Sequence, residues 1–231
     1  MLLKYSTSDI LNTDLVNPSS GKVLYSIVTI TTLQRDTNDE ITEISSRSTR
    51  ITNAKGTAVA VIEWVGEEKR HTGAIKIMNA DPVKVVDLFD GCETVKATTD
   101  YLYVPSRLDF VWIATKDSIH VVDSEYGDFK GKIHEHCIQV GDRLVRSRVP
   151  GIGCNYIEFE EQPEDVLVEL LIDYILINIM RRTRFNLPKY DFCHSGKLDR
   201  SKEIIVDTLG AISATSSRLS VIGKRLRSTT L

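Results

Sequence analysis

Residues 132–137 read KIHEHC: two histidines at i and i+2, a glutamate between them and a cysteine after. On an extended strand side chains alternate, so His134 and His136 are expected on one side, with Glu135 and Cys137 on the other. Two imidazoles at that spacing can share a metal ion, but a zinc site takes three or four protein ligands. The others would have to come from distant residues such as His71, His120 or Cys154. The ligand count is incomplete. The expectation is therefore solvent-facing histidines and no cofactor, with a metal site at His134 and His136 as the alternative.

GIGC (Gly151–Cys154) superficially suggests a phosphate loop. Such a loop opens a helix after a strand, whereas this one leads into the strand-like NYIEFEE, so its glycines read as a turn. The chain has no G-x-S-x-G, no H-E-x-x-H and no P-loop lysine motif. A Cys–His nucleophile has no supporting motif either, and hydrolase chemistry is the least favoured reading. The four cysteines, at 92, 137, 154 and 193, form no C-x-x-C pair and are too few for a disulfide framework in 231 residues. There is no N-x-S/T sequon, and the start, MLLKYSTSDILN, lacks a basic and apolar leader pattern. A reducing, cytoplasmic setting is expected.

Charge is distributed unevenly. Residues 181–231 hold 11 Lys/Arg and 4 Asp/Glu, a balance of +7, against 18 and 28 in the rest, a balance of −10. Arg181, Arg182 and Arg184 are followed by Arg218, Lys224, Arg225 and Arg227. In the last stretch Ile205, Leu209, Ile212, Leu219, Ile222 and Leu226 recur at roughly helical spacing. A basic amphipathic segment of this kind can lie on an anionic membrane. Gly210, Gly223 and the serine-rich middle oppose helix formation, so a disordered or docked tail is the alternative.

The elements that must position these residues are mostly strands. KVLYSIVTI (22–30), EITEISSRSTRIT (40–52), TAVAVIEWV (57–65) and TGAIKIM (72–78) are followed by PVKVVDLF, DYLYV, DFVWIAT, SIHVVDS, DRLVRSR and NYIEFEE. With spacings of about 8–12 residues, this is the pattern of an all-β barrel or sandwich. Trp64 and Trp112 read as core anchors.

At Pro163 the pattern changes. Proline with Glu164 and Asp165 suits a helix N-terminus, and Arg181, Arg182 and Arg184 suit a C-terminus. Between them Val166–Met180 is interrupted only by Glu169, Asp173 and Asn178. A helix apolar nearly all round sits in a core or in lipid. A bilayer span needs about 17–25 apolar residues, and an internal acid costs about 2.5–3.5 kcal/mol there. A core helix over about 164–182 follows, with Leu170, Leu171 and Ile175 among its buried residues and no transmembrane segment.

The order of several short blocks resembles a fungal family of unknown function in the tubby C-terminal-like superfamily, whose relatives include phospholipid scramblases and LURP-type proteins. The blocks are Asn12-Thr13-Asp14-Leu15 with Gly21, Leu24-Tyr25, Ile27 and Thr29; Ile62-Glu63-Trp64; Phe110-Val111-Trp112; and Asp173 through Arg182. SRLDFVW (106–112) departs from the family's turn by lacking its glycine. The resemblance covers about residues 1–185. It implies that the roughly twelve strands form a closed antiparallel β-barrel around the C-terminal helix; the charge balance adds a basic extension over 186–231, partly helical or disordered. The family has no established activity, but its relatives imply contact with anionic lipid or phosphoinositide; with no catalytic motif in the chain, a non-enzymatic binding module is expected. A protein-interaction scaffold is the alternative, and no nucleic-acid partner is expected.

Overall fold

The computed structural model describes residues 1–35, 41–66, 71–78, 80–89, 96–149, 152–188 and 190. The candidate residues Arg218, Lys224, Arg225 and Arg227, and nearly all of the basic extension, lie outside them.

The chain is mainly antiparallel β-structure. Its elements are β1 (Leu2–Tyr5), β2 (Thr13–Val16), β3 (Val23–Arg35), β4 (Ile41–Asn53), β5 (Ala58–Val65), β6 (His71–Ile77), β7 (Val83–Lys84), the single-turn helix α1 (Val85–Leu88), β8 (Lys96–Ala97), β9 (Leu102–Pro105), β10 (Phe110–Ala114), β11 (Ile119–Asp123), β12 (Phe129–Val140), β13 (Arg143–Arg146), β14 (Cys154–Phe159) and the helix α2 (Glu164–Arg184). They form one sheet in the order β7-β6-β5-β4-β3-β2-β1-β14-β12-β11-β10-β9-β8, with β13 branching from β12. Met1–Tyr190 form one compact unit.

Burial alternates along β1 and β2, as expected where one face meets a core and the other meets water. That core is α2. Every residue from Leu167 to Asn178 is buried, on all sides of the helix. A flat sheet can cover only one side of a helix, so this one must curl. The partners of α2 come from both halves of the strand order. Tyr174 meets Tyr5 of β1 edge to face at 6.2 Å. Asp173 accepts from Trp112 of β10, and Arg181 donates to Glu135 of β12. Near its ends, Glu164 accepts from Asn53 and Arg184 donates to the carbonyl of Thr98. Among the described residues no hydrogen bonds join the edge strands β7 and β8 to each other, so the sheet is not closed by a ladder. Next to those edges, Phe89 bridges Ser106, and the Arg107 amide donates to the Leu88 carbonyl at 2.9 Å.

The other core positions follow the sequence. Trp64 is buried, and its indole N–H donates to Thr49, whose hydroxyl also meets that of Thr29 at 2.7 Å. Trp112, Leu170, Leu171 and Ile175 are all no more than 1% exposed. One segment differs: PVKVVDLF forms only a two-residue strand before α1. Asp87 accepts the Lys84 amide at 3.1 Å, a local bond that competes with strand continuation. No helix among the described residues is long and apolar enough to cross a membrane.

Candidate functional site

Three places bring chemically capable groups together: the polar face of α2, the histidine region of β12, and the β12–β13 hairpin.

On α2, the spacing of four puts Glu169 and Asp173 on one face. Arg107 grips Glu169 with two hydrogen bonds of 2.7 Å, the strong bidentate geometry of guanidinium and carboxylate. Asp173 is fully buried. One of its oxygens accepts from Ser106 at 2.9 Å and from Trp112 at 3.2 Å, while Oδ1 has no partner. Burial, aided by the charge of Glu169, pushes its carboxyl up to about 8 against the pull of Ser106, Trp112 and Arg107. A carboxyl so perturbed is what a proton-transfer site needs. This one is sealed between helix and sheet, with no exposed surface.

The histidines do not form the pair that strict alternation implies. Between the register partners His134↔Tyr156 and Cys137↔Cys154, Glu135 and His136 face the single residue Asn155. This is a β-bulge, and the extra residue breaks the alternation. His136 takes φ 54°, Glu135 bonds Arg181, and His134 pairs with Glu158 at 2.8 Å. Gly153 is required opposite, because at φ 112° a Cβ would stand 2.8 Å from the His136 carbonyl. His136 is exposed, as expected, and His134 half-buried. Among the described residues no group of three or more His, Cys, Asp or Glu could hold a metal ion, so His71, His120 and Cys154 do not complete a site.

The arginines at the end of α2 are largely committed. Arg181 is buried and donates to Glu135 at 2.7 Å, which withdraws it from any surface role. Arg182 is held by Asn178 and the Pro188 carbonyl, and Arg184 by the carbonyls of Ala97 and Thr98. Arg182 and Arg184 keep exposed surface, though their donors are partly occupied by the protein.

The third place escaped the sequence reading. β12 and β13 form a hairpin through Gly141 and Asp142, with Gly141 at φ 59° as a tight turn requires. Val140 opposes Arg143 and Ile138 opposes Val145, so these four share one face. Ile138, Val140, Val145, Val149 and Ile152 are 41–62% exposed. They are five of the twelve large exposed hydrophobic residues among the described ones, and all fall within 138–152. Arg143 shares that face, Arg146 stands on the opposite one beside Cys137, and Arg148 follows in the chain; all three are exposed, and none forms an ion pair with a described residue. The turn carries one opposing charge, Asp142. Beyond its ladder with β12, β13 pairs with no other described strand. The mixture resembles a core stripe on a strand, and only the tertiary arrangement shows that nothing described covers it.

Compared with known proteins, the chain matches no family model, no curated protein and no solved structure.

Proposed function

We propose that this chain is a non-enzymatic binding module that rests on an anionic lipid surface through its β12–β13 hairpin. The observation that supports it is the concentration of exposed Ile138, Val140, Val145, Val149 and Ile152 along a segment that also carries Arg143, Arg146 and Arg148, none of which forms an ion pair with a described residue. Scattered surface hydrophobes are ordinary, but a contiguous apolar patch with a polar rim marks a docking site. Its basic rim selects an anionic partner. Apolar side chains enter the interfacial zone while arginines stay with the phosphates, at about 1 kcal/mol per basic residue near such a surface. The basic residues Arg182, Arg184, Arg218, Lys224, Arg225 and Arg227 add a second, longer-range attraction. On this reading the protein works as a peripheral component at the cytoplasmic face of a membrane.

The accompanying fold proposal is a tubby-like barrel. Its support is the helix buried on all sides and the Phe89–Ser106 bridge beside the sheet edges. A second reading, a protein-interaction scaffold, is favoured by the edge of β13 that pairs with no described strand, since such an edge can accept a partner's strand.

Flotation with vesicles separates them. The full chain should float with phosphatidylserine vesicles and not with phosphatidylcholine alone. Arg143→Glu/Arg146→Glu/Arg148→Glu should abolish flotation without lowering the melting temperature. Equal recovery of wild type and triple variant on anionic vesicles would contradict the proposal.

A further inference from the structure

Cys137 and Cys154 are both free thiols, and they stand directly opposite each other where β12 pairs with β14. Opposed residues in an antiparallel pair have Cα atoms about 4.5–5.5 Å apart and side chains on the same face. That separation lies inside the range of about 4.4–6.8 Å that disulfides span. The sequence alone hides the pairing. Seventeen positions separate the two cysteines, and it is the bulge at Glu135 and His136 that returns Cys137 to the face of His134 and so to Cys154.

The surroundings suit exchange chemistry. Cys137 is buried while Cys154 is half-buried. Both line a cavity of about 500 Å³ with Lys4, Gln139 and Tyr156. Cys154 also lines a second cavity of about 340 Å³ with Ser6, Thr7 and Asn155. A small molecule can therefore meet Cys154 first, leaving Cys137 to act from within the protein. Arg146 opposes Cys137 across the other ladder, so one row reads Cys154, Cys137, Arg146. Burial pushes the Cys137 thiol up, and Arg146 and Lys132 counter part of that rise.

We propose that Cys137 and Cys154 are a reversible dithiol–disulfide site, oxidised by exchange with a low-molecular-weight disulfide of the glutathione type. The Cys154 thiolate attacks one sulfur of oxidised glutathione, forming a mixed disulfide and expelling one glutathione thiolate. The Cys137 thiolate then attacks Sγ of Cys154 and expels the second. Two protein thiols lose two electrons, one glutathione disulfide gains them, and the two thiol protons pass to the released glutathione. The new bond clips β12 to β14 at the root of the hairpin and encloses residues 138–153. The site stands on register and access, independently of the membrane reading.

Peptide mapping tests it. The full chain is equilibrated in glutathione buffers of increasing oxidised fraction, alkylated with N-ethylmaleimide under denaturing conditions and digested without reduction. The expected result is a peptide joining Cys137 to Cys154, two hydrogens lighter than the separate peptides together. It should rise with the oxidised fraction and vanish with dithiothreitol. In Cys154→Ser the cross-link should be absent and Cys137 should carry no glutathione. Full alkylation of both thiols at the most oxidising ratio would overturn the proposal. So would glutathione retained on Cys154 with no cross-link.

Discussion

Replacing Asp173 by Asn gives a sharp expectation, because two opposed effects change sign with pH. In an unfolded chain the carboxyl titrates near 3.9. In the folded protein burial carries it to about 8. Between those values the native state holds one more proton than the unfolded state, so stability falls as pH rises. The loss begins near pH 4, levels off above pH 8 and amounts to about 4 kcal/mol at pH 7, at 1.36 kcal/mol per unit. Asparagine does not titrate, so this loss disappears. Its oxygen can still accept from Ser106 and Trp112, but its amide then takes the place of Oδ1, which has no partner. An unsatisfied buried donor costs about 1–3 kcal/mol. Asp173→Asn should therefore be less stable than wild type at pH 4.5 and more stable, by about 1–3 kcal/mol, at pH 7. Urea unfolding followed by tryptophan fluorescence, at pH values from 4.5 to 8.5, measures the crossing. Every other titrating group is shared, so the difference isolates Asp173. Parallel curves, with a constant gap between the two proteins, would refute the argument.

Two further substitutions test how α2 is held. Arg107→Ala leaves Glu169 buried without its bidentate partner and should cost about 3 kcal/mol in urea unfolding; Arg107→Ala/Glu169→Gln should recover part of that loss, and equal losses would show that the pair does not act as a unit. Leu171, 1% exposed at the centre of the fold, should lose about 2–5 kcal/mol as Ala. Leu171→Asp should abolish the cooperative melting transition in calorimetry, and a soluble, cooperatively melting Leu171→Asp protein would remove α2 from the core.

The fold was largely legible because its signals are local. Pro163, the two acids after it and the arginines at the far end bracket α2 almost where it occurs, at Glu164–Arg184. Its length and two acids placed it in a core rather than a bilayer. Nothing local to Glu169 points to Arg107, because the two are joined only when β9 and β10 wrap the helix. The same limit explains Arg181. A basic residue in a last helical turn reads as surface, yet Arg181 follows Asp173 and Ile177 at steps of four, and that face turns inward to Glu135. The β12 bulge is one residue long and leaves no hydrophobic signature, so alternation misplaced the histidines and concealed the cysteine pair. DRLVRSR was legible as a strand. That its valine and the neighbouring isoleucines lie open to solvent depends on what the rest of the chain does not cover.

The central claim is that the β12–β13 hairpin meets lipid, and Val140→Trp reports on it most directly. Val140 lies at the hairpin tip, 62% exposed, whereas both native tryptophans are buried. On phosphatidylserine vesicles the emission of this variant should shift to the blue. Lipids brominated high on their acyl chains should quench it more than deeply brominated ones, and wild type should show neither change. Binding to the vesicles with unshifted, unquenched emission would contradict the account.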